Sequence, residues 1–92
     1  MKRELRTTHR FMKDFKRVKK RGYDLDALRA VLKELVEGKR LSPSYMDHPL
    51  KGEYNGFREC HITSDWLLIY TIVENGLVLI AFRTGTHSDL FE

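Results

Sequence analysis

Three histidines, His48, His61 and His87, stand in polar surroundings in the C-terminal half of a 92-residue chain, each at or beside a turn or strand end. Asp65 and Arg83 fall in the same half. These residue types match metal-free phosphodiester cleavage. Cutting RNA by attack of its own 2′-hydroxyl requires a base for that hydroxyl and an acid for the 5′-oxygen leaving group. It also requires a cation beside the phosphorane-like transition state. Histidine, with an ordinary pKa of about 6.5, supplies either proton role near neutrality. An arginine fork contacts phosphate at two points, which lysine does not match. Phe91, at a polar C-terminus, is a candidate for stacking on a base. Trp66 opens the apolar run Trp66-Leu67-Leu68-Ile69-Tyr70 and reads as core.

Two other chemistries fit less well. Three histidines and an aspartate are a zinc-compatible set. Their spacings of 13 and 26 residues place no two histidines one helical turn apart, and there is no Cys-x-x-Cys. No metal and no cofactor are expected. Cys60 and His61 are adjacent, but neighbours on a strand point to opposite faces and cannot readily hydrogen-bond. If His61 faces a cleft, Cys60 and Ile62 face the core. Cys60, the one cysteine of the chain, reads as a small buried hydrophobe and excludes an intramolecular disulfide framework.

The elements that must position these groups follow from periodicity. Residues 5–7 read as a short strand. Thr7 or Thr8 caps a helix whose apolar positions Phe11, Phe15 and Val18 recur at i, i+4 and i+7, with Gly22 as its stop. Asp24 caps a second helix carrying Leu25, Leu28, Leu32, Leu35 and Val36 on one stripe, ended by Gly38. The short link predicts an antiparallel helix hairpin. Residues 39–56, with both prolines, Gly52 and Gly56, read as loop plus one short edge strand. Strands are expected over 57–62, 66–73 and 77–83, with Thr63-Ser64-Asp65 and Glu74-Asn75-Gly76 as the turns. The plan is α+β: an N-terminal helix hairpin packed on a small antiparallel sheet, one domain over residues 1–92.

Composition narrows the function. Hydrophobic residues make up 41% and charged residues 33%, a globular makeup with room for one core. That excludes a dinucleotide fold, a kinase or a TIM barrel. The start Met1-Lys2-Arg3-Glu4-Leu5-Arg6 has no apolar stretch behind it, so no signal peptide is read. The longest apolar run falls far short of the roughly 20 residues that cross a bilayer. A cytoplasmic protein with no membrane partner is expected. Residues 1–23 hold ten Lys/Arg and two acids, a net of +8, while the rest of the chain carries −4. A basic end on a mildly acidic body points to a partner rich in phosphate or carboxylate.

The segments Tyr45-Met46-Asp47-His48-Pro49-Leu50-Lys51-Gly52, Arg58-Glu59-Cys60-His61 and Asp65-Trp66-Leu67-Leu68-Ile69-Tyr70, with the ending Arg83-Thr84-Gly85-Thr86-His87-Ser88-Asp89-Leu90-Phe91, closely resemble the YafQ branch of the RelE/ParE toxin superfamily. Spacing agrees from residue 45 to 91, whereas the N-terminal helices match only in character. The resemblance implies a small antiparallel sheet with helices on one side. It implies a type II toxin that cleaves mRNA in the ribosomal A site and is inhibited by a cognate antitoxin of the DinJ/RelB kind. Matched motif to motif, the functional positions are His48, His61, Asp65, Arg83, His87 and Phe91. His48 and His87 would be the proton-transfer pair, and His61 and Asp65 would orient the site or share in proton transfer. Arg83 would hold the scissile phosphate and Phe91 the neighbouring base. With the ribosome as platform, Lys13, Lys16, Arg17, Lys19 and Lys20 of the first helix would contact ribosomal RNA phosphates. The alternatives are a ParE-like gyrase inhibitor that cleaves nothing, or an inactive binding module; neither needs this histidine set.

Overall fold

The computed structural model describes residues 2–91. Strands β1 (Glu4–Thr7), β2 (His48–Pro49), β3 (Arg58–Thr63), β4 (Trp66–Val73) and β5 (Val78–Gly85) form one sheet in the order β1-β5-β4-β3-β2. Helices α1 (His9–Lys20) and α2 (Leu25–Val36) precede β2, and the short α3 (His87–Phe91) follows β5. No helix among the described residues is long and apolar enough to cross a membrane.

Thr8 starts α1. Its hydroxyl oxygen accepts from Phe11 N at 3.0 Å and donates to the Phe82 carbonyl at 2.8 Å, so one side chain caps the helix and ties it to β5. Asp24 caps α2 through Asp26 N. Phe11 and Val18 of α1 and Leu28, Val31 and Leu35 of α2 are buried in one cluster with Cys60, Leu68, Tyr70 and Leu79 of the sheet. Leu25, Leu32 and Val36 flank that cluster half-buried, while Val31, outside the expected stripe, occupies its centre. Each helix lies on the sheet, α1 along β5 and α2 against β3.

The β3–β4–β5 meander is antiparallel, as expected, but the sheet as a whole is mixed. β1 runs parallel to β5, Leu5 opposite Leu79. Parallel partners need a long crossover, and everything between β1 and β5 supplies it. In the β4–β5 turn Glu74 and Asn75 both take positive φ, 54° and 58°, ahead of Gly76 at 87°. The left-handed pair therefore begins one residue earlier than an Asn-Gly turn would place it. β5 runs on to Gly85 because Thr84 and Gly85 still pair with Leu68 and Leu67.

Two irregularities of β5 matter for the site. Ile69 pairs with Arg83 and Tyr70 with Ala81, which leaves Phe82 as the extra residue of a bulge. β1 ends its pairing at Ala81, so the strand edge beyond it has no strand partner. The face opposite the two long helices carries a smaller apolar cluster, Leu67, Ile69 and Leu90, with Leu50, Tyr54, Phe57 and Phe82 against it.

Candidate active site

β2 and β3 set the side chains of His48, Glu59 and His61 on that second face. His48 pairs directly with Glu59 across the two strands, and His61 follows Glu59 by two residues, so all three share a face. Cys60 and Ile62, between and beyond them, are buried on the helix side. His48 Nε2 lies 3.2 Å from Glu59 Oε2 and His61 Nε2 lies 3.9 Å from the same oxygen. His48 Nδ1 sits 2.7 Å from the Met46 carbonyl. Each ring nitrogen of His48 thus has an oxygen beside it, the Met46 carbonyl at Nδ1 and the Glu59 carboxyl at Nε2. His61 is held more loosely, with Nδ1 3.4 Å from the Ser64 carbonyl. Glu59 is 5% exposed, and its Oε1 is buried without a hydrogen-bond partner among the described residues.

The loop that carries His48 is anchored next door. Tyr70 Oη donates to Asp47 Oδ1 at 2.5 Å and Arg58 Nη2 to Asp47 Oδ2 at 3.0 Å. Burial, and then the Asp47 carboxylate, push the Tyr70 phenol above its usual range, which keeps it a donor.

α3 brings His87 and Phe91 to the same end of the sheet. The register puts His61, Leu67 and Gly85 in one row across β3, β4 and β5, so His61 and the start of α3 are about two strand spacings, roughly 10 Å, apart. Thr86 and Asp89 form the reciprocal pair of a capping box: Asp89 N donates to Thr86 Oγ1 at 3.1 Å and Thr86 N to Asp89 Oδ2 at 2.9 Å. Asp65 reaches α3 only through the backbone, 3.5 Å from His87 N. The exposed His87 ring packs 4.8 Å from that of Phe91, which also meets Tyr54 edge-on at 5.5 Å. Phe91 is therefore exposed, as expected, but braced. Trp66 is core: 2% exposed, edge-on to Tyr23, with its indole N–H donating to Thr84 Oγ1 at 2.8 Å.

Arg83 lines a cavity of about 620 Å³ with Arg10, Lys51, Tyr54 and Phe91. Its Nε and Nη2 donate to the buried Asp14 of α1, at 2.7 and 3.1 Å. Those bonds hold the guanidinium still more firmly protonated than usual.

Among the described residues no hydrogen bond joins the His48–Glu59–His61 group, the Asp65–His87 contact and Arg83 to one another; the frame of β3, β5 and α3 places them. Two buried acids escaped the sequence reading. Glu59 was signalled by alternation, two residues before His61. Asp14 was signalled by being the one acid of α1 and lying on its apolar stripe.

Lys13, Lys16, Lys19 and Lys20 are exposed on α1. Arg17 differs from them in turning inward: its Nη2 donates to Asp14 at 2.8 Å. Arg21 grips Asp89 at two points, 2.7 and 3.1 Å, and that contact holds the Asp89 carboxyl well below the usual carboxylate range. Cys60 is fully buried, and desolvation, with Asp47 and Glu59 nearby, pushes its thiol up to about 12. It carries no thiolate near neutrality and is no nucleophile.

Residues 3–92 match the family described as bacterial toxin of type II toxin–antitoxin system, YafQ. The mRNA interferase toxin YafQ of Escherichia coli strain K12 is 36% identical over 93 residues, covering 99% of this chain and 98% of the relative. The toxin in the E. coli DinJ–YafQ toxin–antitoxin complex superposes with a TM-score of 0.90 at 34% identity over 100% of both chains. A metal-bound toxin from Helicobacter pylori superposes with a TM-score of 0.89 at 43% identity, covering 99% of this chain and 100% of that one. Among the described residues here, no three or more His, Cys, Asp or Glu side chains converge to hold a metal ion. The family match spans all but the first two residues of the chain, and the likeness to solved YafQ structures extends over its full length: the chain belongs to the YafQ family of bacterial toxins from type II toxin–antitoxin systems.

Proposed function

We propose that this protein is an mRNA interferase that cuts mRNA in the ribosomal A site without metal, and that a cognate antitoxin of the DinJ kind restrains it. The observation that carries the catalytic reading is the His48–Glu59–His61 group on the open sheet face, at the end where α3 presents His87 and Phe91. In the reaction the 2′-oxygen attacks phosphorus and loses its proton to a base. The P–O5′ bond breaks and the 5′-oxygen takes a proton from an acid. The products are a 2′,3′-cyclic phosphate and a 5′-hydroxyl.

His48 enters this sequence as the acid, because each of its ring nitrogens has an oxygen beside it to receive an N–H. His87, exposed and without a ring hydrogen bond among the described residues, takes the proton of the 2′-hydroxyl. Glu59 stabilises the positive charge on His48 and steers His61. Asp65 steadies the first residue of α3. Arg83 meets the scissile phosphate and Phe91 stacks on the neighbouring base. Proton transfer alone contributes about 10²–10⁴-fold; in-line placement of the 2′-hydroxyl contributes more, and the ribosome supplies it. Lys13, Lys16, Lys19 and Lys20 give α1 a face for ribosomal RNA.

Primer extension on an mRNA in translating ribosomes tests the reading, with wild-type protein, His87→Ala, and free mRNA as control. Cuts within A-site codons are expected only with ribosomes and only with the wild type. Folded wild-type protein that leaves the ribosome-bound message intact would refute it.

A further inference from the structure

Asp14 is 3% exposed and stands on the sheet-facing stripe of α1 between Phe11 and Val18, where packing alone calls for an apolar residue. Four N–H groups converge on it. Oδ2 accepts from Arg83 Nε at 2.7 Å and Thr84 N at 3.1 Å, and Oδ1 from Arg83 Nη2 at 3.1 Å and Arg17 Nη2 at 2.8 Å. Thr84 N belongs to the stretch of β5 that β1 does not reach. The carboxylate thus takes the place of the missing strand partner and, with the same two oxygens, fixes the plane of the neighbouring guanidinium. A two-point contact from a helix to a strand leaves Arg83 little freedom.

The charge path continues outward. Arg17 Nε lies 3.9 Å from Asp89 Oδ2, and Asp89 belongs to the capping box of α3. Gly85 makes room for this approach: a Cβ there would fall 2.9 Å from Asp89 Oδ2 and 3.3 Å from Arg17 Nη2. Buried ion pairs are often replaceable by apolar residues without loss of stability, so of the contacts at Asp14 the fold itself calls for the one to Thr84 N, not for the two-point pair with Arg83.

We infer that Asp14 is a positioning residue for RNA cleavage: it sets the orientation in which Arg83 meets the scissile phosphate and, through Arg17 and Asp89, keeps α3 in step with it. This rests on Arg83 being the phosphate contact.

The test compares single-turnover cleavage on mRNA-programmed ribosomes by wild type, Asp14→Asn, Arg83→Ala, the double variant and Arg83→Lys. Arginine Nε–H and backbone amide exchange are read by NMR on each free protein. Asp14→Asn is expected to slow cleavage about 10–100-fold, the scale of a misplaced contact group. It should expose the Arg83 Nε–H to exchange, leave the β4 amides protected, and add nothing in the Arg83→Ala background. Arg83→Lys, which keeps the charge and loses the fork, should fall with it. Wild-type cleavage by Asp14→Asn overturns the inference, as does an equal loss with and without Arg83. Wild-type cleavage by Arg83→Lys overturns it even if Asp14→Asn fails to fold. Wild-type cleavage by Arg83→Ala overturns the phosphate assignment itself, and the role of Asp14 with it.

Discussion

His48 faces Glu59 squarely across the β2–β3 pair, its Nε2 3.2 Å from a buried carboxyl oxygen that His61 Nε2 also approaches, at 3.9 Å. The other oxygen, Oε1, is buried with no partner among the described residues, an unfavourable position for a charged group unless the charge is used. In the proposed mechanism, stabilising an imidazolium on the open face is such a use. Glu59→Gln keeps the shape and removes the charge. Cleavage on programmed ribosomes is expected to drop by about 10–100-fold, within the span of one acid–base contribution. The thermal midpoint should hold or rise, because a buried carboxylate becomes a neutral amide. A rate time course and a melt on the same sample check both.

The proton roles separate with a chemically altered substrate. Replacing the scissile 5′-oxygen by sulfur makes a leaving group that needs no acid. On such an mRNA, His48→Ala should regain most of the lost rate while His87→Ala should remain slow. The opposite pattern would exchange the two assignments.

Stability should respond to acid through Asp89. Its folded carboxyl is depressed, first by the two-point contact with Arg21. A depressed acid stabilises the fold above its unfolded value, and that contribution drains away as pH falls through the folded one. The loss therefore begins below about pH 4 and continues toward pH 2. Thermal midpoints across that window should fall more steeply for the wild type than for Asp89→Asn, which starts lower at neutral pH.

The sequence read well where periodicity is local. Phe11, Phe15 and Val18 announced α1, Thr8 and Asp24 its capping logic and that of α2, and alternation told which face His61 would take. What escaped it depends on partners far away in the chain. Nothing near Leu5 says that it will lie beside Leu79 in parallel, and nothing near Phe82 announces a bulge. Asp14 interrupts an apolar stripe, but only Arg83 and Thr84, about 70 residues on, explain why. Arg17 looked like one more basic surface residue until Asp14 and Asp89 claimed it.

Reversing Lys13, Lys16, Lys19 and Lys20 to glutamate should weaken ribosome association and flatten its salt dependence. Each lost phosphate contact lowers the slope of log affinity against log salt by about 0.7–0.9. Binding titrations at several salt concentrations check it; an unchanged slope would remove α1 from the RNA interface. The same change at Arg17 should instead lower the melting midpoint, since that side chain works inside the fold.

The pairing of β1 with β5 joins Glu4 to Val78, almost the whole length of the chain. Such a distant contact closes late, and Arg83, His87 and Phe91 all lie in or beyond the strand that closes it. A ribosome makes proteins from the amino end, so β1 is made long before its partner β5, and Arg83, His87 and Phe91 take their places only once β5 has joined the sheet. A chain that lacks β5 therefore leaves β1 without its strand partner and cannot bring together the full set of proposed cleavage groups.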